Sequence, residues 1–429
     1  MSAELLRASP LLAGVAANRA DVLPGLLAAL LTLPQAIALA TLAGMPVEYG
    51  LYLSLLPALA ATLIGNSRVA LSGPNTAASI LLYSSATLFA TPYSPVYVNQ
   101  VLLTTFFAAA FQFAFFFMRA GNLFLDLPIS VAQGIIAGTG VLILSQQVGP
   151  LLGVIINGQG VIESLGQALC FDAKNYWPLL VGAVAILAGL TAKALRFGRY
   201  HLLIALAAGW LAADLCDWLI GSANTAFERL GHLNLSIRLL SVPTVNWTEL
   251  VALFAAVSDG LAVAAVGSLQ AAIMARTSST LIGEPMAVNR DILGQAAMNL
   301  LATFTSGFAG ATSFNRTLAN IESGARGRAA GVIGIVALGI GLAISEPWLA
   351  RIPLPAVAGV LVLVAIALMG SFKGLDRKKP RQTVELLATV MVAVFFGLFY
   401  AVLTGAGLAF YHRALDHPQN DTPPIMEDS

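Results

Sequence analysis

Apolar stretches about 20 residues long fill most of this sequence, and they limit the folds that it can adopt. Of its 429 residues, 58% are hydrophobic and only 10% are charged, whereas soluble domains contain about 25% charged residues. In lipid, every backbone N–H and C=O needs a partner within the protein, so a segment that crosses the bilayer must be helical. The sequence therefore predicts an all-α polytopic membrane protein.

The apolar stretches give about fourteen transmembrane segments, several of them short or interrupted by Gly and Pro. They lie near 22–43, 49–65, 74–91, 98–118, 126–148, 176–195, 200–220, 249–275, 291–306, 314–322, 329–347, 353–371, 383–403 and 404–414.

The positions of Lys and Arg support this count, because cytoplasmic loops are enriched in these residues. With the N-terminus in the cytoplasm, most of them fall on the cytoplasmic side. Those on the outer side are Lys174, Arg229, Arg238 and Arg351. Two further arginines, Arg68 and Arg316, lie at interruptions of the apolar pattern. We expect both termini to be cytoplasmic, in a multi-pass protein of a bacterial inner membrane.

The interruption at residues 307–320 combines small residues, hydroxyl groups and Arg316 at membrane depth. Broken backbone at this depth survives only where it lines a cavity enclosed by protein. A helix that starts near Ser313 would direct its free N–H groups and its positive dipole end into such a cavity. This predicts half of an anion site. The alternative is a cytoplasmic loop before an ordinary span, with Arg316 as a topological anchor.

A similar interruption in the first half, at residues 71–79, leads from Ser72 into the next apolar run. Pro74 suits the first turn of a helix, where its missing N–H costs nothing, and Ser72 or Gly73 would be the cap. Spans three and ten thus begin as half-helices at corresponding places of two seven-span halves. Such paired interruptions point to a midplane site between inverted repeats. Two unrelated Gly/Pro turns are the alternative.

Other functional classes find little support in the sequence. A net charge of +1 suggests no nucleic-acid partner. Cys170 and Cys216 have no metal or redox spacing, and the four histidines form no metal-binding pair. We expect no metal, no cofactor and no enzymatic activity, because no catalytic cluster or nucleotide-binding loop is present.

Several short motifs, taken together in their order, resemble those of the sulfate permease (SulP) family of anion transporters. They are PQAIALATLAGMP at 34–46, GLYLSLLP at 50–57, GNSR at 65–68, GP at 73–74, GQAAMN at 294–299 and SFNRTLANIESGAR at 313–326. Each motif is weak alone, but their order and spacing are specific, and the resemblance covers about residues 20–411.

The resemblance implies two inverted seven-span repeats arranged as a core domain and a gate domain, and a homodimer formed through the gate. The expected divisions are a cytoplasmic N-terminus at 1–21, a transmembrane domain at 22–414 with core spans at 22–118 and 249–347 and gate spans at 126–220 and 353–414, and a cytoplasmic tail at 415–429. The family usually carries a STAS domain after the last span. We expect none here, because the tail is short and polar.

The sequence also departs from the family within the expected site. Leu39 and Asn75 stand where many members place aromatic residues beside the anion. Gln270 stands where cation-coupled members have an acidic residue. An amide cannot bind and release a proton, and it is a weaker sodium ligand than a carboxylate.

The predicted substrate-binding residues are Gln35, Leu39, Asn75, Thr76, Gln270, Ser313, Phe314, Asn315 and Arg316. Most have a structural alternative: Gln35 would bridge two helices, Asn75 and Thr76 would cap a helix, and Phe314 would be a core aromatic. Arg316 would pair permanently with Asp259 or Glu322. Arg68 is expected to be structural.

These observations predict a secondary transporter of small anions, such as bicarbonate, sulfate, chloride or a small carboxylate, that works by alternating access as an exchanger or uniporter. One alternative is a sodium- or proton-coupled symporter of the same fold, with coupling through Asp259 or backbone oxygens. A nucleobase permease and an anion channel are further alternatives.

Overall fold

A computed structural model describes a mostly helical chain. The described residues are 19–125, 129–153, 166, 176–197, 200–230, 243–244, 250–370, 380–396, 400–401, 403–405, 407–408 and 411. Most of the N-terminal segment, the tail at 415–429, Lys174, Arg238 and Cys170 lie outside these residues.

The first half begins with a 3-10 turn at Arg19–Asp21. It is followed by α1 (Val22–Leu42), α2 (Val47–Leu53), α3 (Leu56–Ile64), β1 (Ser72–Gly73), α4 (Thr76–Ala86), α5 (Pro95–Phe117), α6 (Gly121–Leu125), α7 (Ile129–Leu152), α8 (Trp177–Ala194), α9 (His201–Ile220) and α10 (Ser222–Thr225).

The second half repeats a long helix, a short strand and a short helix. Its elements are α11 (Leu250–Ile282), α12 (Val288–Phe304), β2 (Ala311–Thr312), α13 (Phe314–Glu322), α14 (Arg328–Leu349), α15 (Leu354–Met369) and α16 (Pro380–Phe396).

Many of these helices are membrane-spanning by length and composition. Within the described part of the chain, 7 helical segments are long and apolar enough to cross a bilayer. They include α1, the combined α2–α3 segment, α5 and α11. Two shorter apolar helical segments, Arg328–Ile344 and Leu354–Met369, follow in the second half. The chain is therefore a multi-pass membrane protein, and the predicted number of fourteen spans stays a prediction.

The helices pack in two groups. In the first, α5 packs on α11 and α12, α3 packs on α12, and α1 packs on α14. In the second, α7 packs on α15 and α16, while α8 packs on α9 and α15. The two groups meet where α1 contacts α9 and α15 and where α4 contacts α7. The short elements β1, β2, α4 and α13 all have contacts in the first group.

Two sequence predictions need correction, and a third gains detail. The fold is not purely α-helical, because β1 and β2 form a two-stranded antiparallel sheet. The span predicted at 49–65 corresponds to the apolar segment Val47–Ile64, which is interrupted between α2 and α3, where Pro57 occupies the first turn of the new helix. The third span begins at Thr76 rather than at Pro74, and its N-cap is Asn75 rather than Ser72 or Gly73.

Candidate functional site

The two interruptions of the apolar pattern meet as the paired strands β1 and β2, and this strand pair is called the crossing below. Ser72 lies opposite Thr312, and Gly73 lies opposite Ala311. Glycine is required at this crossing because the backbones approach closely: a Cβ on Gly310 would lie 2.4 Å from the carbonyl oxygen of Gly73. Gly73 itself has a φ of +146°, a backbone conformation that residues with a side chain rarely adopt. The crossing therefore holds residues from the two halves of the chain in backbone contact.

A helix starts directly after each strand. The N–H of Ser79 donates to the carbonyl of Asn75 (2.9 Å), and the N–H of Thr317 donates to the carbonyl of Ser313 (3.0 Å). These bonds close the first turns of α4 and α13. The first N–H groups of a helix have no partner within the helix and form its positive dipole end. The prediction of a half-helix after each interruption is confirmed.

Both helix starts line one cavity of about 450 Å³. Its wall includes Asn75 and Thr76 from the start of α4, and Ser313, Phe314 and Asn315 from the start of α13. Hydrophobic side chains of α7 and α15 complete much of the wall, among them Ile136 and Val364. The cavity thus lies between the two groups of helices, with both positive helix ends directed at it.

The remaining predicted residues of α1 and α11 also reach this cavity. Gln35, Leu39 and Gln270 all belong to its wall. The Oε1 atom of Gln270 is buried and has no hydrogen-bond partner. The structure gives the side chain of Gln35 no hydrogen bond to another described residue, so the predicted bridge between two helices is not observed.

Asn75 and Ser313 occupy equivalent cap positions but differ in their bonds. The Oδ1 atom of Asn75 accepts the N–H of Ala77 (3.0 Å), and its Nδ2 donates to the carbonyl of Thr312 (3.3 Å). Ser313 makes no side-chain cap bond. Phe314 is 40% exposed, so the alternative that it is a core aromatic is wrong.

Arg316 is the one predicted site residue outside the cavity wall. It is 2% exposed, and its Nη2 donates to the carbonyl of Pro74 (2.9 Å), at the junction between β1 and α4. The structure shows no pair with Asp259 or Glu322. The carboxylate of Asp259 instead accepts the hydroxyl of Ser85. Arg316 is thus a buried cation behind the crossing, without an acidic partner among the described residues.

A buried network of polar side chains contacts β2 on the side away from the cavity, and the sequence motifs did not predict it as a network. Asn299 of α12 bonds both backbone groups of Gly310 and also donates to Gln112 of α5 (2.8 Å). Gln295 donates to the Oγ1 of Thr312 (2.8 Å). The only sequence signal for this network was the GQAAMN motif, which contains Gln295 and Asn299. Gln112 lies in an apolar span and carried no such signal.

The charge of the cavity wall is positive. Among the described residues the wall contains no Asp or Glu, and its one basic residue is Arg276. Two helix N-termini add partial positive charge. No group of three His, Cys, Asp or Glu residues in the described part of the chain could hold a metal ion. The wall is therefore suited to an anion, with amides and hydroxyls available as hydrogen-bond donors.

Two short helices that start at one cavity, in a multi-pass helical protein, are the arrangement typical of membrane transporters with broken helices. The chain belongs to the sulfate permease family, whose model matches residues 19–394. This confirms the resemblance found in the sequence. The members found by comparison are transporters, not enzymes, and the family comprises transmembrane anion transporters.

Curated relatives match over most of this chain. The protein named "Probable sulfate transporter MT1781" of Mycobacterium tuberculosis is 26% identical over 412 residues, which is 94% of this chain and 71% of that protein. Bicarbonate transporter BicA of Picosynechococcus sp. is 25% identical over 401 residues, 91% of this chain and 69% of that protein.

A solved structure shows the same fold. Murine Solute Carrier 26 family member A9, an anion transporter in the inward-facing state, superposes with a TM-score of 0.80 at 20% identity. The match covers 93% of this chain and 68% of that one.

Proposed function

We propose that this protein is a secondary transporter of small anions that binds its substrate between the starts of α4 and α13. The observation that carries the proposal is the shared cavity, which receives two positive helix ends and has no acidic residue in its described wall. Free backbone N–H groups at helix starts bind sulfate, phosphate and carboxylate groups. The related proteins named for sulfate and bicarbonate transport support the same class of substrate.

In this proposal the substrate contacts Asn75, Thr76, Ser313 and Asn315 directly, with Gln35 and Gln270 as further amide donors. Phe314 and Leu39 supply apolar wall. Arg316 acts without contact, because its buried charge lies one turn into α13 behind the anion. An anion offsets the cost of burying that cation, and the low dielectric around Arg316 strengthens the attraction.

Transport would follow from movement of one group of helices against the other. The first group carries both half-helices and would be the core domain, and the second would be the gate. An elevator-like movement of the core would expose the cavity alternately to the two sides of the membrane. This mechanism needs one group of helices to slide along the other. The contacts between the groups, which involve α1 and α4, are few, and this supports the mechanism.

The same proposal includes exchange or uniport rather than cation symport. Gln270 lies in the cavity wall with a buried, unpartnered Oε1 atom, at the position of the acidic residue of cation-coupled members. A neutral amide binds no proton at ordinary pH and binds sodium only weakly. We also propose an inner-membrane location with cytoplasmic termini, and a homodimer formed through the gate.

The decisive experiment is uptake into liposomes that contain the purified full chain. Labelled sulfate and labelled bicarbonate are offered with and without a sodium gradient, a proton gradient, or unlabelled anion inside. We expect uptake that is stimulated by internal anion and indifferent to sodium and pH gradients. Empty liposomes are the control. Dependence on a sodium or proton gradient would contradict exchange and move attention to Asp259, while an absence of uptake would contradict the transporter itself.

Gln270→Glu provides a sharper version of the same experiment. A carboxylate at this position would place a cation ligand in the cavity wall, and we expect sodium- or proton-dependent uptake to appear. Gln270→Met, which restores no charge, is the matched control and should stay indifferent to cations.

A further inference from the structure

Arg276 has no role in the site described so far, yet it is the one charged side chain that the described cavity wall contains. It lies on α11, six residues after Gln270, so the two positions are about 9 Å apart along the helix axis. Its neighbour Thr277 and Gln133 of α7 also belong to the wall. Arg276 is exposed, which places it where the cavity meets solvent.

Among the described residues, the guanidinium of Arg276 has a neutral hydrogen-bond partner and no acidic one. Its Nη2 donates to the carbonyl of Leu125 (2.5 Å), at the end of α6. The ion pairs of the described residues involve Arg229 with Asp214 and Asp217, not Arg276. Within the described part of the chain Arg276 bonds only this neutral carbonyl, so its charge and its other N–H groups face no competing described partner and can serve a ligand.

We propose that Arg276 forms a second, outer anion-binding position at the mouth of the cavity, which an oxyanion occupies before it moves to the helix starts. The inference rests on the proposed function, because it concerns the same substrate and the same cavity. A guanidinium presents parallel donors that match the paired oxygens of sulfate, bicarbonate or a carboxylate. A spherical halide cannot use that geometry, so the outer position favours oxyanions over chloride.

The two positions should make different kinetic contributions. An exposed charge at the mouth of a cleft with apolar walls raises the local anion concentration and the association rate, and salt screens this effect. The helix starts hold the anion during the conformational step. Loss of Arg276 should therefore raise KM at low ionic strength and leave Vmax nearly unchanged.

The test uses Arg276→Gln and Arg276→Lys in the full chain, with initial rates of labelled sulfate and bicarbonate uptake into liposomes. The Gln side chain ends at the position of the arginine Nε, so Arg276→Gln loses both the charge and the bond to Leu125, whereas Arg276→Lys keeps the charge. Arg290→Gln is the matched control. Arg290 is also an exposed arginine that donates to one carbonyl, that of Ile64 (3.0 Å), but it does not line the cavity.

We expect Arg276→Gln to raise KM about fivefold at low ionic strength, with Vmax within about twofold of wild type. Added potassium gluconate should reduce the difference in KM between Arg276→Gln and wild type, because salt screens the charge of Arg276. Arg276→Lys should keep KM within about twofold of wild type. It should, however, discriminate less strongly between oxyanions and chloride, because an ammonium lacks the parallel donors of a guanidinium. Arg290→Gln should behave as wild type.

Three results would overturn the inference. Unchanged KM and salt dependence in Arg276→Gln would remove the outer position and leave the proposed function intact. Loss of Vmax at unchanged KM in both Arg276 variants would show that only the bond to Leu125 matters. Wild-type protein that takes up neither anion, and whose unfolding temperature neither anion raises, would overturn the proposed function and this inference together. An Arg276→Gln protein that fails to fold leaves Arg276→Lys to decide, through its oxyanion preference.

Discussion

The two strand-to-helix junctions, β1 with α4 and β2 with α13, perform similar tasks with different means. Each supplies one short strand to the crossing and one helix start to the cavity. The first junction caps its helix with Asn75 and continues into an apolar helix. The second leaves the Ser313 side chain free of a cap bond and buries Arg316 instead.

Their supports also differ. Polar ties of the first junction run to the second: the N–H of Leu71 donates to Thr317, the carbonyl of Val69 accepts from Asn320, and that of Pro74 accepts from Arg316. The second junction has its own support, through Gln295 and Asn299 of α12. The second junction is therefore the scaffold onto which the first one docks.

The largest effect should come from Gly310→Ala, which breaks the crossing itself. The new Cβ would lie 2.4 Å from the carbonyl oxygen of Gly73, which is backbone and cannot move aside cheaply. We expect a loss of about 3 kcal/mol or more in stability, and loss of anion uptake. Thermal unfolding in detergent measures the first and liposome uptake the second.

Gly341→Ala is its control, because nothing lies within 4 Å of a Cβ added there. The control should keep the wild-type unfolding temperature and uptake. Wild-type stability in Gly310→Ala would mean that the backbones of the two junctions are not in close contact, and it would contradict the view that one junction docks onto the other.

The next effect should come from Arg316, the charge that only the second junction carries. Arg316→Met removes the cation but keeps most of the volume, and we expect sulfate or bicarbonate to bind about tenfold more weakly. The unfolding temperature without anion should change little, because a buried unpaired charge contributes little stability. Arg316→Lys keeps the charge and should retain more of the binding.

The measurement is the rise of the unfolding temperature with anion concentration, which reports binding by mass action. Equal anion responses in wild type and Arg316→Met would show that Arg316 only ties the two junctions through Pro74. That outcome would leave the helix ends as the whole anion site.

The smallest effect should separate the two cap residues. Asn75→Ala removes a cap bond and should cost about 1 kcal/mol of stability, whereas Ser313→Ala removes no cap bond and should cost a few tenths. For anion binding we expect the larger loss from Ser313→Ala, because the hydroxyl of Ser313 makes no bond to a described residue, whereas the Asn75 side chain is already bonded.

The unfolding temperature of each variant is measured with and without sulfate. The value without sulfate compares the loss of stability in the two variants, and the rise with sulfate compares their loss of anion binding. A Ser313→Ala protein that is as strongly destabilised as Asn75→Ala would contradict the difference between the junctions. Equal anion responses in the two variants would contradict the assignment of Ser313 to the substrate.

The sequence by itself determined that the fold is mostly helical and indicated which segments line the cavity. Long apolar stretches force helices in lipid, and polar, Gly- and Pro-containing interruptions can persist there only around a cavity. These are local properties of the chain, so residues 71–79 and 307–320 could be recognised without a structure. Five of the eight predicted residues in the cavity wall lie in these two interruptions, whereas Gln35, Leu39 and Gln270 were predicted from the resemblance to the family.

Only the tertiary structure decided which way the side chains face and what they touch. Arg316 meets Pro74 from the opposite half of the chain, Asn299 meets Gln112 across two helices, and Arg276 reaches the cavity although its sequence marks only a cytoplasmic cation. The physical reason is the distance along the chain. A strand pair, a buried charge and an amide network form only when segments far apart in sequence come together, and no local pattern records that partner.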